Sequence, residues 1–295
     1  SIMKKAANAA EEHGFSVERY LCGSDPESLD CVVLDERIAI LDGTPPHSKE
    51  MTFPGAKSEI IDVTKFWNSS VLEARKEEII THASLKSSAY ASAYRYIRAV
   101  ETVEKERRTI CDEYFDREKA RKFCLRFIKQ HKIKPSSDYF CRNRYSYALT
   151  MRGLSKSDSD ITDARDVIVV NDSCGAAPEF MEILHGILNE KNISHTCSII
   201  PINNTLSAIK IDLTGLTFVV EQKIGAKKTV NTARFIKNER ERERRGYMRL
   251  AGKCEKECLN DAVTMLSKAS EHHFALEEIY ISSMNFDALW EYING

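Results

Sequence analysis

The feature that most constrains this chain is that it repeats itself. The stretch "SIMKKAANAAEEHGFSVERYL" lies over "EFMEILHGILNEKNISHTCSI" without a gap. Ile2 meets Phe180, Met3 meets Met181, Ala6 meets Leu184 and Ala10 meets Leu188. Gly14 meets Asn192, and both residue types suit the left-handed position that ends a helix. Phe15 then meets Ile193 and Leu21 meets Ile199, so each copy reads as a helix followed by a strand. The parallel continues in "CVVLDERIAILD" and "AIKIDLTGLTFVVE", each two apolar runs about a polar turn, ending on Asp42 or Glu221. A long helical region follows each, from about Trp67 to Lys132 and from about Thr232 to Ala275. Both regions are expected to fold back as helical hairpins, because single helices of that length are uncommon without coiled-coil heptads.

The expected fold is α/β: two tandem three-layer αβα units, 1–137 and 138–295, each with a helical-hairpin extension. The boundary falls near "KIKPSSDYFCRNRYSY", where Pro135 and two serines interrupt the helix. A chain of 295 residues with 42% hydrophobic content has enough apolar material for two cores. Its net charge of -1 provides no global field toward nucleic acid or an anionic membrane. No apolar run approaches the ~20 residues of a membrane span. The first residues lack the apolar centre of a signal peptide. Nine cysteines are scattered without paired metal-type spacing, which suits reduced thiols and a cytoplasmic location. Cys254 and Cys258, four apart in "CEKEC", share a helix face as a metal or redox pair or as plain thiols.

"DVIVVNDSCGAAPEFMEILHGIL" orders a strand, a small-residue loop and a helix, as in folds that grip phosphate. Such a loop uses backbone N–H groups, a lysine on the outer phosphates and a hydroxyl on the metal. In the first copy the equivalent strand and loop would precede Ser1. Here "CGSDPESLDCVVLDERIAILDGTPPH", followed by "FPGAKSEIIDVTKFW", resembles a bacterial family of tandem P-loop NTPase-like proteins. The resemblance covers most of the chain and is most specific in "SDPESLD" and "LDGTPPH". It implies that Ser1 directly follows a Walker A loop that binds ATP and Mg²⁺. It also implies that Asn171, Asp172, Ser173, Cys174, Gly175, Ala176, Ala177 and Pro178 occupy the second copy's loop. Ala177 then stands at the lysine position and Pro178 at the hydroxyl position. That loop reads as a retained shape with lost chemistry, although Ser173, Gly175 and the helix dipole leave capacity for a weaker anion.

In the first copy, Asp42 ends a buried-strand pattern, where P-loop enzymes place an acid beside Mg²⁺; with Gly43 following, it is equally a turn starter. His47, in the stiff "GTPPH" loop, is a candidate to orient water or contact phosphate, or a plain solvent-facing histidine. Asp25 and Asp30 are candidates to position water or metal, or caps of a short turn. Arg144 matches an arginine at the opening of the family's second unit, with a phosphate role or a surface ion pair as its alternatives. The alternating charges of "KNERERERRGYMR" fit a solvated helix better than a nucleic-acid stripe.

The leading functional expectation is Mg²⁺-dependent ATP binding and hydrolysis, with an active first unit and a degenerate second one. The alternatives are a non-catalytic scaffold that binds a protein or nucleic-acid partner through the helical hairpins, and a small-molecule kinase using His47 or Asp25 as base. No membrane partner is expected.

Overall fold

A computed structural model describes the chain apart from residues 1, 23, 24, 26, 45–49, 51, 157–165, 173, 174, 221–227, 238–240 and 295, and apart from the side chains of 241–244 and 294. The chain divides into two compact units. Unit 1 comprises Ser1–Ala93 and Val263–Gly295, and unit 2 comprises Tyr94–Ala262. The division falls at 93/94 and 262/263, inside helices.

In unit 1, helix α1 (Ile2–Glu12) packs on an antiparallel sheet of β1 (Val17–Leu21), β2 (Leu29–Leu34) and β3 (Ile38–Leu41). Its core is small: Ala7, Leu29 and Val32, with Met3, Val17 and Leu34 packed around them. Asp35 and Glu36, with φ of 49° and 54°, make the tight left-handed turn between β2 and β3.

Unit 2 is built on a six-stranded mixed sheet of order β11-β7-β10-β9-β8-β4. Its strands are β4 (Cys141–Tyr145), β7 (Asp166–Asn171), β8 (His195–Ile200), β9 (Thr205–Ile211), β10 (Leu216–Val219) and β11 (Lys228–Asn231). A hairpin of β5 (Tyr147–Thr150) and β6 (Gly153–Lys156) stands apart. β7 runs parallel to both β10 and β11. Its unalternating "VIVV" run suits a strand with neighbours on both edges and cover on its faces. Helix α5 (Ala176–Glu190) lays Phe180, Met181, Leu184, Ile187 and Leu188 into the core, the i, i+1, i+4, i+7, i+8 spacing of a single helical stripe.

The same local devices occur in each unit. α1 ends at Gly14 with φ 82° and α5 ends at Asn192 with φ 51°. Phe15 N–H donates to the Ala10 carbonyl at 3.0 Å, and Ile193 N–H to the Leu188 carbonyl at 2.9 Å. The following strand carries a register irregularity between Tyr20 and Leu21 in unit 1, and between Ser198 and Ile199 in unit 2.

The expected reversals inside the long helical regions are corrected. After a short α2 (Ser69–Ala74), α3 (Lys76–Tyr114) is one helix of 39 residues, and α6 (Glu241–Ser282) is one of 42. No glycine or proline interrupts α3, so at 1.5 Å per residue it extends for about 58 Å. Each helix contributes residues to both units. The break comes late, before α4 (Arg117–Gln130) and α7 (Phe286–Asn294). In unit 2, Asp116 N–H donates to Phe235 O at 2.7 Å and Lys237 N–H to Tyr114 O at 2.8 Å. In unit 1, Asn285 N–H donates to Phe66 O and Asn68 N–H to Ser283 O, both at 2.8 Å. The end of each long helix is thus tied to the chain just past a 3-10 turn, Val63–Phe66 in unit 1 and Thr232–Phe235 in unit 2.

α4 closes the core of unit 2 over α5. Phe180 sits 6.0 Å from Phe123 and 5.6 Å from Phe235, and is fully buried. Phe180→Ala is expected to cost roughly 3–5 kcal/mol of unfolding free energy in a urea titration, and Phe180→Leu less than about 1.5 kcal/mol.

Candidate metal centre

β8 alternates its side chains, so His195 and Cys197, two apart, share the face turned to α5. β4 runs parallel beside β8 with Cys141 directly opposite His195, which brings a second thiol to that face. α5 crosses above, and His185 lies at the edge of its apolar stripe. The ligand atoms of Cys141, His185, His195 and Cys197 all lie within 4.8 Å of one another. Cys141 Sγ is 3.5 Å from His195 Nε2, Cys197 Sγ is 3.4 Å from His185 Nδ1, and the two ring nitrogens are 2.9 Å apart. A tetrahedral zinc with Zn–S near 2.3 Å and Zn–N near 2.05 Å has edges of about 3.4 Å (N–N), 3.6 Å (N–S) and 3.8 Å (S–S). The two N–S separations already match, and the N–N separation needs to widen by about 0.5 Å on the same geometry.

The proton position of His195 suits ligation. His195 Nδ1 is 2.7 Å from the Ile193 carbonyl, an acceptor only, so Nδ1 carries the proton and Nε2 presents its lone pair to the cluster. Burial lowers the pKa of His195, against the raising effect of that carbonyl, and burial alone lowers that of His185. Both imidazoles are thereby held in the neutral form that binds metal. Burial also raises the thiol pKa values of Cys141 and Cys197, so a metal that takes them as thiolates displaces their protons.

The residues singled out in the sequence are dispersed. Asp42 follows β3 and accepts from Thr44 N–H at 2.8 Å and Thr44 Oγ1 at 2.9 Å, a turn-starting arrangement. Asp25 accepts from Glu27 N–H at 3.0 Å and Ser28 Oγ at 2.6 Å, also within a turn. Arg144 lies on β4 opposite Ser198, three residues beyond Cys141. Ser1, His47, Ser173 and Cys174 lie outside the described residues. Cys254 is exposed and Cys258 half-buried, and both are free thiols.

At the loop after β7, the Asp172 carboxylate accepts N–H bonds from Gly175 at 3.2 Å and Ala177 at 2.9 Å. It therefore occupies the N-terminus of α5 with a negative charge that the chain itself supplies. Gly175 is left-handed at φ +77°, and a Cβ there would come within 2.6 Å of Met248 Cε. Ala176 and Ala177 are fully buried, and Pro178 takes the third place of the helix, where its missing N–H leaves no bond unmade. Nearby, Arg107 pairs with Glu104 at 2.9 Å and Glu255 at 2.7 Å. Among the described residues of Asn171–Pro178, the Asp172 carboxylate takes two N–H groups at the start of α5, and the stretch contains no lysine or arginine.

No family model, no curated protein and no solved structure matches the chain. Among the described residues no helix is long and apolar enough to cross a membrane.

The metal candidates were not among the residues the sequence singled out. The one local signal was His195-Thr196-Cys197, two ligand types at strand spacing; the other two ligands come from β4 and α5 and leave no linear motif. Because Asp172 caps α5, Asp172→Ala is expected to destabilise the protein by about 1 kcal/mol in chemical denaturation.

Proposed function

We propose that this chain is a metal-binding protein whose second unit holds one zinc ion through Cys141 Sγ, His185 Nδ1, His195 Nε2 and Cys197 Sγ. The observation that carries the reading is the convergence of four ligand atoms within 4.8 Å from three separate elements. Two thiols and two imidazoles are a soft-to-borderline set, which favours zinc over magnesium or calcium. Four protein ligands fill a tetrahedral shell and leave no position for substrate, so the ion is structural: it fastens β4 and α5 to β8. The purified full-length protein should bind one zinc per chain in competition with a chromophoric chelator. Cys197→Ala and His185→Ala should each weaken binding by at least about a hundredfold, beyond the ~10–100-fold typical of a merely supporting residue. Cys254→Ala with Cys258→Ala should leave it unchanged. Zinc binding that is absent, or that depends on the latter pair, overturns the proposal.

A second reading is Mg²⁺-dependent ATP binding and hydrolysis by the first unit, with Asp42 beside the metal and the second unit a degenerate copy. Its support is the recurrence of helix, strand and antiparallel strands in both units, beside a strand–loop–helix flanked by parallel β10 and β11. Calorimetry on the full-length protein is the test. Mg²⁺–ATP binding that Asp42→Ala weakens by about tenfold, or 1.4 kcal/mol, is the expected result; no binding, or binding indifferent to Asp42, rejects this reading.

A further inference from the structure

His185 presents Nδ1 to the cluster, so its other nitrogen must carry the ring proton when Nδ1 binds a metal, and that proton needs an acceptor. The atom facing His185 Nε2 belongs to Asn189, one turn further along α5: its amide nitrogen lies 3.1 Å away. The same amide meets the surface on its other side, where Tyr139 Oη is 2.6 Å from Asn189 Oδ1. The amide oxygen and nitrogen occupy nearly the same space, and a half-turn about the terminal bond exchanges them without moving any neighbour. Tyr139 suits either orientation, because a phenol both donates and accepts, and its side chain reaches solvent.

Resting on the zinc reading above, we propose that Asn189 and Tyr139 are positioning residues of the metal centre. The Asn189 amide oxygen receives Nε2–H of His185, its amide nitrogen donates to Tyr139 Oη, and the His185 ring is held with Nδ1 aimed at the ion. His195 needs no such partner from a side chain, because the Ile193 carbonyl fixes its ring from the backbone. The two imidazoles are thus oriented by different means, one by the local chain path and one by a side-chain relay that ends at the surface. Substitution can reach only the second.

The experiment measures zinc affinity of the full-length protein by chelator competition, with melting temperature as a parallel readout. Asn189→Ala should bind one zinc about 10–100-fold more weakly than wild type. Asn189→Asp should bind at least as tightly as wild type, since a carboxylate accepts the same proton more strongly. Yet its zinc-free form should melt lower than zinc-free wild type, because a negative charge in the last turn of α5 opposes the helix macrodipole. Affinity and stability then move in opposite directions, which a role confined to helix stability would not produce. Tyr139→Phe should lose less than Asn189→Ala. The proposal is overturned if Asn189→Ala binds within about twofold of wild type, or if Asn189→Asp loses affinity as Asn189→Ala does. A wild-type protein that binds no zinc would instead sink the zinc reading itself.

Discussion

Everything in the second unit depends on the seat of α5 on its sheet. Phe180, Met181, Leu184, Ile187 and Leu188 are all essentially solvent-free. At roughly 1.5–3 kcal/mol for each large side chain fully buried, that stripe sets the position of α5 far more firmly than any polar contact on it. His185 rides at the margin of this stripe, so its ring is placed over β8 by packing that serves no chemical purpose of its own. The same seat brings Asp172 into reach of the first N–H groups of α5, and brings Glu179, buried, to Arg117 on α4. Both rings lose solvent to their surroundings, which favours the neutral imidazoles.

The corresponding positions in unit 1 carry different groups. In the gapless pairing of the two stretches, Ala7, Glu11, Val17 and Arg19 stand where unit 2 has His185, Asn189, His195 and Cys197. Ala7 is fully buried against Leu29 and Val32, an ordinary small-residue contact. Arg19 reaches back from β1 to α1 and makes two bonds to Glu11, at 2.5 and 2.8 Å. Both partners are substantially exposed, so solvent screens the pair and it contributes little. A structural zinc site is a different order of interaction, with apparent binding free energies of about 10–16 kcal/mol in small zinc domains. The same helix-to-strand contact is therefore made in unit 1 by a weak ion pair, and in unit 2 by groups able to take a metal.

Much of the local fold could be read in the residues. The helical spacing ahead of Gly14 and Asn192, the left-handed endings at both, the strands that follow and the paired apolar runs after them are all patterns of a few neighbouring residues, and all appear where the spacing puts them. The long helices were misread because single helices of that length are uncommon without coiled-coil heptads; with no glycine or proline from Lys76 to Tyr114, the backbone has no reason to stop. The Cys–His cluster lay hidden for a different reason. Cys141 and His195 are 54 residues apart, and only the parallel pairing of β4 with β8 makes them neighbours. Propensity cannot report a parallel edge pairing, and a search for closely spaced cysteines looks only along the chain. Asp42 and Asp25 illustrate the converse. A carboxylate after a strand fits a metal role by pattern, but each meets hydroxyl and amide donors within its own turn.

The loop after β7 precedes α5, and His185 of the Cys–His cluster lies further along the same helix. The N-terminal end favours negative charge, and the Asp172 carboxylate supplies it by accepting from the N–H groups of Gly175 and Ala177. One apolar stripe thus places both Asp172 at the start of α5 and His185 over β8, beside Cys141, His195 and Cys197.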